Sequence, residues 1–262
     1  MNRIIFLIIL FSPTLCFGQI ANRWQPDSIY SNRQVKKVFV YLNSPRDLSE
    51  IVEFDQSGKR IRSTKYSASY NRRTRKNKWI EKVNLYEYDS YDRLIRIVDS
   101  VGTDSIVFQY GINGKLISSR KNLGNFVYVS EYSYLPYIST TVRKKDSIIV
   151  YENTKEYDMD FYVSKSYGFS LKPKLKKVTD TINGIPNTLA YKDYDNLQKF
   201  ENYKIIKNSF DSNGRLIESD ISSVFMNDRV VERTLYYNYY KDGLFNSIRG
   251  YVSRYFKYEF WN

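Results

Sequence analysis

Histidine is absent from all 262 residues, and cysteine occurs once, at Cys16. Without histidine the chain lacks the usual general base at neutral pH, the commonest metal ligand, and every Ser-His or Cys-His catalytic pair. A single cysteine excludes an intrachain disulfide and any cysteine-built metal centre. Beyond the first residues, no stretch is apolar enough for a transmembrane helix. Glycine (11) and proline (6) are scarce. Nothing in the sequence implies a cofactor, and these absences point away from an enzyme.

What is abundant is aromatic. Tyrosine reaches 26 and phenylalanine 15, and a Tyr-rich, β-branched, Gly-poor chain favours sheet over helix or disorder. Net charge is +13. A basic exported protein is predisposed to anionic partners, whether envelope glycans, lipid headgroups or an acidic protein. The plainer account is that strands carry Lys and Arg outward for solubility and edge protection.

Met1–Gly18 reads as a secretory signal peptide. Arg3 opens it, Ile4–Phe11 is an apolar run too short to span a bilayer, and Pro13 ends the run before Cys16-Phe17-Gly18. Cleavage before Gln19 would remove the only cysteine. A lipoprotein anchored at Cys16 is disfavoured because Leu15 is large where such signals want a small residue. Residues 19–33 form a leader with little periodicity, and residues 34–262 form one β-hairpin domain. The address is the periplasm, the outer membrane or the exterior of a Gram-negative cell, which disfavours nucleic acid as a partner. Oligomeric state stays open.

The domain is organised around one recurring unit. In Leu85–Ser100, Tyr86 and Tyr88 share a strand face, Asp89 opens a turn, and Leu94–Val98 leads back as a second strand. The unit recurs at Phe54–Ile61, Tyr110–Ile117 and Phe210–Ile217, and in a worn form at Tyr239–Phe245. Its chemistry is conformational. Asp55, Asp89 and Asp211 accept backbone N–H groups, as Asn113 can. Gly58, Gly114, Gly214 and Gly243 supply the positive φ that closes the hairpin. Aromatics at 88, 110, 134 and 157 are 22, 24 and 23 apart, near one hairpin per repeat.

The pattern (Tyr or Phe)-Asp-x-x-Gly-(Lys or Arg)-Leu-Ile resembles the YD repeat of Rhs-type proteins, best at Phe210–Ile217. In larger members, the resemblance implies a strip of strands spiralling into a shell around a cargo, or a surface module for adhesion. This chain is shorter, its period is uneven, and its residues show no obvious terminal effector domain. The expectation is therefore an antiparallel hairpin meander forming one large curved sheet, open or sandwiched, rather than a closed barrel.

Four sets of residues are candidates for chemistry. Arg72, Arg73, Arg75, Lys76 and Lys78 make the densest basic run, either an anion-binding loop or a solvated hairpin tip. Lys172–Lys177 alternates charge with apolar residues and reads as an edge strand. Ser28, Ser100, Ser105, Ser147 and Thr181 stand in Asp-(Ser or Thr)-aliphatic triplets resembling an O-glycosylation acceptor. The same triplet also arises wherever a turn leads into a strand. The carboxylate pairs Asp89/Asp92, Asp158/Asp160 and Asp193/Asp195 could in principle serve a glycan hydrolase, but they sit in turns. The C-terminal Tyr258–Asn262 resembles the aromatic end of outer-membrane barrels. Against a barrel, charges appear on both faces of many strands (Arg93 beside Ile95, Arg96 beside Leu94), leaving no clean lipid-facing band. The sequence thus favours a non-enzymatic envelope protein that binds or scaffolds, with a carboxylate hydrolase or an outer-membrane barrel as alternatives.

Overall fold

The computed structural model describes residues 25, 27–71, 76–102, 105–134, 137–145, 147–157, 163–182, 185–225 and 228–262, with side chains described outside 69–79, 163 and 172–196. The expected signal peptide, Met1–Gly18, lies outside the described residues. Among the described residues one short helix, α1 (Asp27–Asn32), precedes sixteen strands. They are β1 (Val35–Leu42), β2 (Leu48–Phe54), β3 (Arg60–Asn71), β4 (Lys76–Tyr88), β5 (Leu94–Asp99), β6 (Ser105–Tyr110), β7 (Leu116–Leu123) and β8 (Phe126–Tyr134), followed by β9 (Tyr137–Lys145), β10 (Ile148–Tyr157), β11 (Val163–Ile182), β12 (Ile185–Phe210), β13 (Leu216–Val224), β14 (Val230–Tyr239), β15 (Phe245–Arg249) and β16 (Arg254–Phe260).

Each strand pairs antiparallel with its sequence neighbours, as the hairpin meander requires. The ends of the meander also meet. Val38 pairs with Val52 of β2 on one side and Tyr258 of β16 on the other, so β1 joins the first hairpin to the last strand. The sheet is a closed barrel. This corrects the expected open sheet or sandwich. Closure removes both sheet edges and satisfies their backbone groups, which an open meander would leave to solvent.

Five turns close hairpins at the end of the barrel where β1 starts and β16 finishes. In each, the backbone N–H of the first turn residue donates to the carbonyl four positions on, as from Asp89 to Arg93 (3.0 Å) and Asp211 to Arg215 (2.9 Å). The fourth residue is left-handed: Gly58 (φ +82°), Asp92 (+62°), Gly114 (+74°), Gly214 (+73°) and Gly243 (+87°). A register shift follows on the adjoining strand pair. This is a type I turn with a glycine-type bulge, one residue longer than a two-residue Asn-Gly hairpin. The turn aspartates organise it. Asp89 Oδ1 accepts the N–H groups of Tyr91 (3.0 Å) and Arg93 (2.9 Å), while Oδ2 accepts Arg93 Nε (2.7 Å). Asp211 does the same with Asn213 and Arg215. Asp55 and Asn113 each cap one N–H, from Lys59 and Lys115.

Neighbouring repeats are tied together by the aromatic that opens each unit. Tyr110 donates its hydroxyl to the Leu94 carbonyl, Tyr134 to Leu116 and Tyr239 to Leu216, each at 2.8 Å. The basic residue of one turn lies over the ring of the next unit: Arg93 over Tyr110 (5.1 Å), Lys115 over Tyr134 (5.0 Å) and Arg215 over Tyr239 (5.3 Å). Such a contact at a partly exposed site is worth about 0.5–1 kcal/mol.

The described part of the leader, Gln25 and residues 27–33, is structured where its lack of periodicity gave no such expectation. α1 packs on the inner wall at the turn end. Tyr30 is buried against Phe54 (ring centroids 5.2 Å) and Tyr258 (6.4 Å), within a cluster that includes Val38, Val52, Phe245 and Phe256. Gln25 clips the last hairpin turns from inside, donating to the Gly243 carbonyl (3.0 Å) and accepting from Phe245 N–H (3.1 Å). Arg60, 1% exposed, replaces the leucine of the other units and forms an ion pair with Asp27 of α1 (3.1 Å). Gly58 is required twice over. Its φ is left-handed, and a Cβ there would lie 2.3 Å from Ser31 Cβ on the helix. A second, separate cluster of Leu94, Ile97 and Phe108 lines β5 and β6.

Candidate functional site: the inner wall of the barrel

Strand alternation sorts the residues. Leu94, Ile97 and Phe108 are buried and face the interior with Ile106, Tyr86 and Leu116. Following the register from Ile106 to Lys121, Lys121 to Tyr128 and Tyr128 to Arg143 keeps to the same inner face. The residues between them point outward. That outer face carries cross-strand ion pairs, Lys37–Glu53 (3.6 Å), Arg62–Glu53 (3.7 Å), Arg96–Glu87 (3.6 Å) and Lys165–Glu201 (2.9 Å).

On the inner face a cleft of about 340 Å³ opens across β6 to β9. Its apolar floor is Ile106, Phe108 and Leu123; Tyr128, Tyr132 and Lys121 add aromatic surface and a cation. Its hydroxyls are held in fixed pairs. Ser119 Oγ and Tyr132 Oη lie 3.1 Å apart, and Ser130 Oγ and Thr141 Oγ1 lie 2.8 Å apart. Similar polar pairs continue round the wall, Ser166 donating to Asn153 and Ser219 to Asn208, both at 2.6 Å. Aromatic faces beside oriented hydroxyls suit a hydroxyl-rich ligand, which needs both stacking area and hydrogen-bond partners.

Cations share this wall. The Arg143 guanidinium lies over Phe126 (5.2 Å) and Tyr151 (5.5 Å), with its Nε buried and without a hydrogen-bond partner among the described residues. Lys204 is held below the usual lysine range by burial, then by the charges of Arg233 and Lys155.

The sequence-derived candidates are scattered rather than gathered. Arg72, Arg73 and Arg75 lie outside the described residues. Lys76 and Lys78 start β4, with side chains likewise outside them. Lys172–Lys177 belong to β11, which from Leu171 onward pairs with β12 alone. Ser28 on α1 and Ser100 and Ser147 in turns are exposed, Ser105 begins β6 half-buried, and the side chain of Thr181 is not described. Asp89 is committed to its turn. Asp92 pairs with Lys59 of the neighbouring turn at 2.5 Å. Asp158 and Asp160, and the side chains of Asp193 and Asp195, fall outside the described residues. Among the described residues no group of three His, Cys, Asp or Glu could hold a metal ion. Sequence reasoning missed the inner-wall residues, because Ser119, Tyr132, Thr141 and Lys204 belong to no local motif and meet only through register.

These features define a closed, up-and-down, all-antiparallel barrel with a polar and aromatic inner wall. No protein-family model and no curated protein matches the chain. Among solved structures it is similar to a porin-like protein from Bacteroides uniformis ATCC 8492, at 11% identity and a TM-score of 0.40, covering 86% of this chain and 98% of that one. It is also similar to a structure of TcdB2-TccC3-TEV, at 10% identity and a TM-score of 0.21, covering 76% of this chain and 14% of that one. Similarity this distant carries no functional weight.

Proposed function

We propose that the protein is a non-catalytic, exported envelope barrel that holds a saccharide-like ligand against its inner wall. The carrying observation is the cleft over β6 to β9, with its paired hydroxyls and two tyrosines. Closure moves the binding surface from the outside of an open sheet to the inside of a barrel. The test is calorimetric titration of the protein with oligosaccharides released from cell-wall and outer-membrane glycans. Tyr128→Ala and Thr141→Val each remove a lining contact and are expected to weaken binding about tenfold, the loss of roughly 1.4 kcal/mol. Binding indifferent to both would overturn the reading.

A second reading, an outer-membrane barrel, is favoured by the topology itself. The strand number is even, every connection joins neighbours, and β1 starts where β16 ends, with the longest hairpin, β11–β12, reaching from the opposite end. The outer wall weighs against it. Lys or Arg facing lipid near the midplane costs about 2–4 kcal/mol each, and Lys37, Arg62, Arg96 and Lys165 all point outward. β5 and β6 have six residues and β15 five, against roughly 9–11 for a strand that spans a bilayer. The water-facing reading expects the processed protein to stay dispersed without detergent. Recovery only in detergent micelles would decide for the membrane.

A further inference from the structure

The net positive charge is not spread evenly over the barrel. From β7 to β14 the register points Lys121, Arg143, Lys145, Lys155, Lys204 and Arg233 inward. Among the described residues this arc of inner wall carries no carboxylate. Among the described side chains, the outer face of the same strands carries seven, including Glu201, Glu218 and Glu232, beside the five cations Arg120, Lys144, Lys165, Lys199 and Lys207. Alternation for solubility would put both signs outside. Here one sign has been sorted to the inside.

The sorting is sharpest at β10, β12 and β14. Lys155 lies two residues beyond the buried Asn153, Lys204 two residues before Ile206, and Arg233 opposite the buried Ile221, which also pairs with Ile206. Lys204 is half-buried and has no ion pair or hydrogen bond among the described residues. Each of its two cationic neighbours is one strand removed, Arg233 beyond β13 and Lys155 beyond β11, and both charges disfavour its ammonium. Hydroxyls and an amide fill the register between them, Ser164 and Ser223 opposite Lys204, Ser166 opposite Lys155, and Asn202 opposite Ser166. Like charges held together at a partly desolvated site raise the free energy of the empty protein, and an anion relieves that cost.

We propose that Lys155, Lys204 and Arg233 form an anion-binding site on the inner wall, taking a phosphate, sulfate or carboxylate group. The assignment rests on the inner wall being the binding surface, and it makes the ligand an acidic one. Lys155 borders the cleft, in register with Ser139 and through it with Tyr132, but Lys204 on β12 and Arg233 on β14 lie on strands beyond it, so the two halves can fail separately.

The probe is inorganic pyrophosphate, titrated calorimetrically at pH 7 in low salt. Wild type is expected to bind saturably, with affinity that falls as salt rises. The Lys204→Gln/Arg233→Gln double variant should lose at least about tenfold in affinity. Lys199→Gln/Lys207→Gln removes the same charge from the outer face of β12 and should leave binding unchanged. Equal loss in both double variants, or no saturable binding by wild type, would overturn the site. Tyr128→Ala, at a cleft residue in register with Arg143 rather than with Lys155, should leave pyrophosphate binding intact whether or not the cleft holds a saccharide, so failure of the cleft and failure of the anion site are distinguishable. NMR of the Lys204 side chain supplies an independent readout. Pyrophosphate should raise its pKa, because a bound anion favours the charged ammonium, and an unmoved titration would count against the site.

Discussion

The hydroxyl of Tyr110 donates to the carbonyl of Leu94, sixteen residues back and one repeat away, at 2.8 Å. Tyr258 makes the same bond to Phe245, the residue that stands in the leucine position of the last turn. The aromatic therefore does more than fill the inner wall: it fixes how far each repeat is displaced along its neighbour. Tyr110→Phe keeps the ring and removes the donor, leaving a half-buried carbonyl short of a partner. The expected cost is about 1 kcal/mol, read as a lower denaturation midpoint at an unchanged slope. Tyr110→Leu should cost more, since it also removes the face on which Arg93 rests.

Arg60 and Asp27 give an asymmetric prediction. Asp27→Ala strands a buried guanidinium, which already has one nitrogen unpartnered, and is expected to cost about 3–5 kcal/mol. Arg60→Leu instead restores the residue found at Leu94, Leu116 and Leu216. It leaves Asp27 partly exposed to water, so the change should be near neutral, within about 1 kcal/mol. Urea denaturation of the two variants tests the difference. Equal destabilisation would mean that the ion pair, rather than relief of a buried charge, holds α1 in place.

Much of this fold was legible in the chain because its signals are local. Asp89, Asn113 and Gly214 announce turns within six residues, and alternation around them announces strands. Closure was not legible. It depends on Val38 meeting Tyr258, two residues separated by almost the whole domain, and no short-range pattern reports such a pairing. The helix was missed for a related reason: six residues are too few for periodicity, and α1 is stabilised by Tyr30 and Asp27 docking on the wall. The cation arc was hidden too. Lys155, Lys204 and Arg233 look like ordinary surface residues until the register puts them on one face.

Glycine substitutions should separate backbone strain from packing. At Gly114 a Cβ would meet nothing within 4 Å, so Gly114→Ala carries only the cost of a left-handed alanine, about 1–2 kcal/mol. At Gly58 the same strain is joined by collision with Ser31 Cβ and Cα, which are not the end of a flexible side chain. Gly58→Ala is expected to lose clearly more stability and to make residues 25–34 accessible to protease, as α1 is pushed from the wall. Ser31→Gly removes the Cβ and Oγ collisions but leaves the Cα at 2.8 Å, so it should restore part of the excess over Gly114→Ala, and that partial rescue marks the excess as steric. An excess wholly insensitive to Ser31→Gly would count against a side-chain collision.

The turn aspartates predict an acid-side loss of stability with a definite sign. At Asp211, backbone and side-chain hydrogen bonds from Arg215 hold the carboxyl below its ordinary range. At Asp89 burial pushes the other way, but the side-chain and backbone bonds from Arg93 outweigh it. A carboxylate with a lowered folded-state pKa contributes stability above the ordinary aspartate pKa of about 3.9, and that contribution drains away as pH falls through the lowered value. Stability measured by urea titration should therefore decline below roughly pH 4, more steeply in wild type than in Asp89→Asn/Asp211→Asn. Asparagine keeps an oxygen for the turn N–H groups but has no charge to lose to a proton. The variant should start less stable at neutral pH, because Arg93 and Arg215 lose their ionic partners, and its curve should converge on that of wild type in acid. Parallel curves across the acid range would mean that the pH dependence arises in other carboxylates and that the turns contribute through geometry alone.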